Sequence, residues 1–170
     1  VIVMRTEDGA IIEDTLRDVK FSGLSWLGNE GFFYSSYDKP EEGSVLSGKT
    51  QQHKLYFHRL GTQQTEDELI FGGDDRIRRY VSGSVTRDQQ WLVISAAIST
   101  TGNEFYLMSL ADDSRTLVQV VDDFENEYGV VHSEGNTFYL QTNYEAPNSR
   151  IMVMDATKPD RSNWSELVAE

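Results

Sequence analysis

Hydrophobic positions in this chain fall into short runs that recur as an ordered set. Gly31–Ser35, Trp91–Ser95 and Thr137–Gln141 are aromatic or β-branched. Each is followed by a run that alternates strictly: Lys54–Leu60, Glu104–Leu110 and Arg150–Ala156. A shorter apolar run closes each set: Glu68–Phe71, Thr116–Val120 and Ser165–Val168. Alternation with period two sends successive side chains to opposite faces, so these runs predict half-buried strands. A small-residue-rich segment and a polar turn open each set. The turns Gly28–Gly31, Arg87–Gln90 and Ser133–Asn136 supply the Gly, Asn, Asp and Ser that tight connections use.

Four strands per unit, repeating at roughly 45–60 residues, is the pattern of β-propeller blades. The start of the chain fits the end of such a unit. Val1–Arg5 matches a third strand, Asp8-Gly9 a turn, and Ala10–Ile12 a fourth strand. The expected fold is all-β: a partial β-propeller of about three complete four-stranded antiparallel blades, preceded by the last two strands of another. Residues 1–20 form the end of that preceding blade and a linker, and the blades cover 21–73, 74–122 and 123–170 in one continuous domain. Asp38–Gln52, with Pro40, Gly43 and Gly48, is the longest stretch without periodicity and reads as a long hairpin tip. Helical periodicity is missing throughout, and Gln63–Glu68 reads as a turn. A propeller closes with four to eight blades, so the chain reads as an arc of a larger ring.

Composition narrows the function classes. The chain has 170 residues, 38% hydrophobic and 11% aromatic, enough for a real core and too aromatic for a disordered chain. Its net charge of −13 repels phosphate backbones and anionic lipid, which argues against nucleic acid and membrane partners. It contains no cysteine, so disulfides and thiolate sites do not arise. No apolar run is long enough for a transmembrane helix.

Candidate chemistry is sparse. Gly43–Thr50 fits the phosphate-loop pattern G-x-x-x-x-G-K-[ST]. That loop needs a helix behind it, whereas the following residues to His58 alternate like a strand, so a chance match is expected. Gly23–Gly28 is one residue too long for a nucleophile elbow. His53 and His132 lie next to loops, and His58, on an alternating strand, reads as a half-buried packing residue. None has the spacing of a metal pair. The acidic pairs Asp74-Asp75, Asp112-Asp113 and Asp122-Asp123 lack the ligand pattern of a calcium loop and read as strand ends and turns. Asn163-Trp-Ser165 is a glycosylation triplet only in a eukaryotic secreted protein. No catalytic residue, metal or cofactor is assigned, and the chain alone is expected to be inactive.

Several strings are more specific. Val19–Trp26, Phe33–Tyr37, His53–Thr62, Glu66–Leu69, Phe124–Tyr128, Thr142–Arg150 and Trp164–Glu170 together resemble the propeller domain of the prolyl oligopeptidase family, in order and over essentially the whole chain. Leu60-Gly-Thr62 and Ala146-Pro-Asn-x-Arg150 are shared with the neighbouring oligopeptidase B group, and Val19-Lys-Phe-Ser22 tilts the resemblance to the prolyl branch. The resemblance implies a seven-bladed propeller over an α/β-hydrolase domain that carries the family's catalytic Ser, Asp and His. That domain and short proline-containing peptides become the expected partners. The propeller would then act as a size filter and line part of the substrate pocket. Carried over by position, the pocket residues are Phe21, which matches the family, and Tyr80 and Thr100, which stand where members have Met and Cys. Some members place an Arg where this chain has Ala97. An alternative from another class is a stand-alone β-rich binding module. Exposed blade edges lead to an expectation of self-association.

Overall fold

The computed structural model describes residues 1–37, 52–73, 76–111 and 114–170. The long hairpin tip, the phosphate-loop match at Gly43–Thr50 and the acidic pairs at 74–75 and 112–113 lie outside the described residues. Among the described residues there are fourteen β-strands, short 3-10 turns that include Gln64–Glu66 and Arg161–Asn163, and no α-helix.

The strands are β1 (Ile2–Met4), β2 (Ile11–Thr15), β3 (Leu24–Leu27), β4 (Gly31–Ser36), β5 (Lys54–Arg59), β6 (Glu68–Phe71), β7 (Tyr80–Val85), β8 (Trp91–Ala97), β9 (Glu104–Ser109), β10 (Leu117–Val121), β11 (Tyr128–Glu134), β12 (Thr137–Thr142), β13 (Arg150–Asp155) and β14 (Ser165–Val168). They form one two-stranded sheet, β1-β2, and three four-stranded sheets ordered β3-β4-β5-β6, β7-β8-β9-β10 and β11-β12-β13-β14. Sequential antiparallel neighbours are what short turns between alternating strands produce. This is the partial propeller of the sequence expectation: three four-strand fans and half of a preceding one. The alternating runs are the second, third and fourth strands of each fan, and the small-residue-rich openings are the first strands. Strand β11 runs on through Glu134, leaving Gly135, in a left-handed conformation with φ 55°, and Asn136 as the turn. Within the expected turn at Gln63–Glu68, Gln64–Glu66 winds into a 3-10 turn, closed by the Gln63 N–H donating to Glu66 Oε2 at 2.9 Å.

The chain divides into two compact units, Val1–Ser84 and Val85–Glu170, with the boundary inside β7. In the first, Val3, Leu16, Phe32 and Tyr34 form one core cluster, with Val1, Ile12, Val19, Tyr56 and Leu60 packed against them, and Phe33, Leu55, Phe57, Phe71 and Val81 are buried as well. This core joins the β1-β2 sheet to β4 and β5. Gly83 of β7 lies over Leu55, where an added Cβ would meet Leu55 Cδ2 at 2.7 Å. In the second unit the core gathers Phe105, Leu107, Val121, Tyr128, Phe138, Leu140, Met154 and Ala156. Trp91 meets Phe138 edge-on at 6.1 Å, and Trp164 meets Tyr128 edge-on at 6.0 Å.

Two histidine expectations need correction. His58 is not half-buried: it is 1% exposed, because the alternation of β5 breaks at Phe57-His58, where both residues are buried. His132 does not flank a loop. It lies within β11, exposed, with its ring 5.6 Å from that of Tyr139.

Candidate functional site

The three positions carried over by resemblance sit in different settings. Phe21 precedes β3 rather than starting a strand. Its backbone is left-handed, φ 52°, and its side chain is 74% exposed, a costly arrangement for a bulky residue. Its ring meets Tyr37 edge-on at 6.1 Å, and Tyr37 lies 4.5 Å from the His53 ring. His53 is fully buried. Its Nδ1 accepts the Val81 N–H at 2.9 Å, and its Nε2 lies 3.3 Å from the Lys20 carbonyl oxygen. Nδ1 therefore carries no proton, and burial holds the imidazolium form down. Tyr80, the residue before Val81, opens β7 and is 55% exposed. A chain of contacts thus runs from Phe21 through Tyr37 and His53 to the β7 start. Ser35 Oγ donates to the Val81 carbonyl at 2.8 Å and closes it from the β4 side.

Thr100 belongs to the second unit. It lies exposed in the loop after β8 and lines a cleft of about 460 Å³. The cleft is built where strand ends converge: Ser95 and Ala97 of β8, Gly102 and Asn103 before β9, Tyr128 and Gly129 of β11, and Gln141 and Thr142 of β12. Its size suits a small organic ligand or a few peptide atoms, and its lining is rich in hydroxyl and amide groups. Ala97 lies on the wall and brings no charge to it.

Asn103 holds the cleft together. Its Oδ1 accepts the Tyr128 N–H at 2.9 Å, and its Nδ2 donates to the carbonyls of Glu104 at 3.1 Å and Tyr128 at 3.2 Å. The Asn103 N–H donates to the Asn126 carbonyl at 3.0 Å. Beside it, burial pushes the Tyr128 phenol up to about 12, so it is neutral at ordinary pH. Arg161 stacks 5.3 Å from the Tyr128 ring centre and 4.8 Å from that of Tyr144, and donates to Asp123 Oδ2 at 2.7 Å. This planar cation bridges the turn after β10 to the turn before β14.

Sequence reasoning missed one cluster. His58 Nε2 lies 2.7 Å from Asp14 Oδ1 and His58 Nδ1 lies 2.7 Å from Asp67 Oδ1, and all three side chains are 1–2% exposed. The Gly61 N–H donates to Asp14 Oδ2 at 2.9 Å and the Tyr34 hydroxyl donates to Asp67 Oδ2 at 2.6 Å. Burial and the Asp67 carboxylate raise the Tyr34 phenol far above its usual range, so it stays a donor. The cluster holds no nucleophile. Among the described residues no group of three or more His, Cys, Asp or Glu side chains is arranged to hold a metal ion.

Successive four-stranded antiparallel fans define the class: part of a β-propeller. The whole chain, residues 1–170, matches the family described as prolyl oligopeptidase, N-terminal beta-propeller domain, and the chain belongs to that family. It is 50% identical over its full length to a prolyl endopeptidase of Elizabethkingia miricola and 48% identical to that of Elizabethkingia meningoseptica. It spans 24% of the length of each, about a quarter of a larger peptidase. In fold it is similar to prolyl oligopeptidase B from Galerina marginata, with a TM-score of 0.84 over 95% of this chain and 23% of that one at 20% identity.

Proposed function

We propose that this stretch of propeller is a non-catalytic part of a serine-type prolyl peptidase, which gates short proline-containing peptides towards a hydrolase domain and lines part of the substrate pocket. Phe21, Tyr80 and Thr100 are the pocket side chains in this reading. The observation that carries it is the pairing of a whole-chain family match with a polar cleft at Thr100. Phe21 adds support, because a strained backbone that exposes an aromatic ring is retained more readily at a contact surface than in packing. The mechanism is exclusion: fans of strand over a reaction centre admit small chains and keep folded proteins out. The apolar residues that β1 and β2 expose, Ile2, Met4 and Ile11, belong to the same reading as surface for further chain or for a second copy.

The test uses the intact parent peptidase. Thr100→Trp fills the cleft mouth, and Phe21→Ala and Tyr80→Ala remove exposed rings. Each is expected to raise KM for a proline-linked chromogenic peptide several-fold with kcat little changed, since such groups bind ground state and transition state alike. Unchanged KM in all three variants, with the thermal midpoint intact, overturns the pocket assignment. The isolated chain is expected to show no turnover of the same peptide, and inhibitor-controlled turnover would overturn the non-catalytic reading.

A further inference from the structure

The Asp14–His58–Asp67 cluster makes a demand on protons that geometry alone exposes. A neutral imidazole carries one N–H. With carboxylate oxygens 2.7 Å from both ring nitrogens, one contact would set a nitrogen lone pair against an oxygen lone pair. Two good hydrogen bonds need a second proton on the set. Each carboxylate already accepts another donor, Gly61 N–H on Asp14 and the Tyr34 hydroxyl on Asp67, which favours the charged carboxylates and puts the extra proton on the ring. The titratable groups around the ring are Asp14 from β2, Asp67 from the β5–β6 connection, Tyr34 from β4 and Tyr56 from β5, whose ring stacks on Tyr34 at 5.6 Å; Phe32 packs on the imidazole at 5.3 Å.

We propose that His58 is held as an imidazolium between Asp14 and Asp67 and acts as a proton-dependent clasp, closing the β1-β2 sheet onto β5 and the turn that leads to β6. The position suits a clasp. Asp14 is a polar residue that β2 sends into the interior, and the β1-β2 sheet also meets the rest of the unit through the Val3–Leu16 core. The nearby tie is weaker: Gln64 exchanges two hydrogen bonds with the Arg17 backbone at 2.9 and 3.0 Å, both exposed. Loss of the ring proton at alkaline pH turns one arm of the clasp repulsive and frees β2 before the rest of the unit.

The experiment needs no variant to begin. Nitrogen-edited proton spectra of the chain near neutral pH should show two N–H protons on the two nitrogens of one imidazole. The three histidines are told apart because His132 is exposed and His53 keeps Nδ1 bare. One bare nitrogen on His58 overturns the proposal, as does a protonated Asp14 or Asp67 carboxyl in carbon spectra. On raising the pH until one of these protons disappears, hydrogen-exchange protection of the Gly61 and β2 amides, corrected for intrinsic rate, should fall about tenfold or more, the scale of a charged hydrogen bond. Amides of β12 should hold. Uniform loss across both units, or none in β2, overturns the clasp. Asp14→Asn supplies a second check, because its amide can donate to the bare Nε2 of a neutral ring. That variant should keep β2 protected and lose the alkaline dependence. Persistence of the dependence in Asp14→Asn overturns the proton assignment.

Discussion

Replacing Asn103 by Ala would remove three hydrogen bonds from one buried amide: Tyr128 N–H to Oδ1, and Nδ2 to the carbonyls of Glu104 and Tyr128. At about 1 kcal/mol net for each neutral bond, the full loss is about 3 kcal/mol. The cleft reduces this. Asn103 lines an opening of about 460 Å³, so water can reach at least one of the freed carbonyls. The Tyr128 N–H belongs to a buried residue at the start of β11, and an orphaned donor costs more than a carbonyl that has a second lone pair. The expected cost is therefore about 2 kcal/mol, dominated by one stranded donor. With a urea slope near 2 kcal/mol/M, the unfolding midpoint should fall by about 1 M. Asn103→Asp separates donor from acceptor. Its carboxylate still accepts from Tyr128 but faces two carbonyl oxygens, so it should cost at least as much at neutral pH and recover when acid protonates it. A midpoint shift under about 0.25 M for Asn103→Ala, or an Asn103→Asp variant as stable as the parent at neutral pH, would refute the claim that this side chain holds the cleft walls together.

Two further outcomes follow from the first unit. Gly83→Ala should destabilise by about 1–3 kcal/mol in urea unfolding, because its methyl would push into the fully buried Leu55 side chain, and Gly83→Ala with Leu55→Val should recover part of the loss. For His53 the folded state is held neutral by burial, so its protonation is favoured in the unfolded chain. Stability from this group is complete above the unfolded value near 6.5 and drains away as the pH falls below it. The urea midpoint should therefore drop between about pH 6.5 and pH 5, and His53→Gln should flatten that part of the profile. A slope identical in both proteins would count against a neutral His53.

The strands were legible because period-two alternation is a local signal that each run carries by itself. Trp91–Ala97 alternates in burial along its whole length, whereas Glu104–Ser109 is buried on both faces, so its letters marked a strand without marking a solvent face. Family membership was legible for the same reason: strings such as His53–Thr62 are contiguous. The clasp was not. Asp14 and His58 are 44 residues apart, and Asp14 sits between Glu13 and Thr15, where a polar residue reads as solvent-facing. His58 looked amphipathic because alternation assigns one face to solvent, whereas the β1-β2 sheet and the β5–β6 turn cover that face too. The backbone of Phe21 was hidden for a related reason: a left-handed conformation at a bulky residue is set by the surrounding chain, and its own letter argues against it. The cleft at Thr100 is made from the ends of β8, in one sheet, and of β11 and β12, in another, and only the packing of the two sheets within the second unit brings them together.

The two buried histidines show how far side-chain chemistry can diverge under one pattern. His53 and His58 lie five positions apart, each fully buried. His53 accepts from a backbone amide, so its setting favours the bare ring and weakens in acid. His58 faces two carboxylates at 2.7 Å, and the clasp proposed for it would weaken in alkali. If the clasp holds as proposed, the two signs are opposite and a bulk pH–stability curve would show a maximum with two flanks. Local exchange can assign the acid flank to the β7 start at Val81 and the alkaline flank to β2. The flanks identify the two sites independently, so failure of one leaves the other standing.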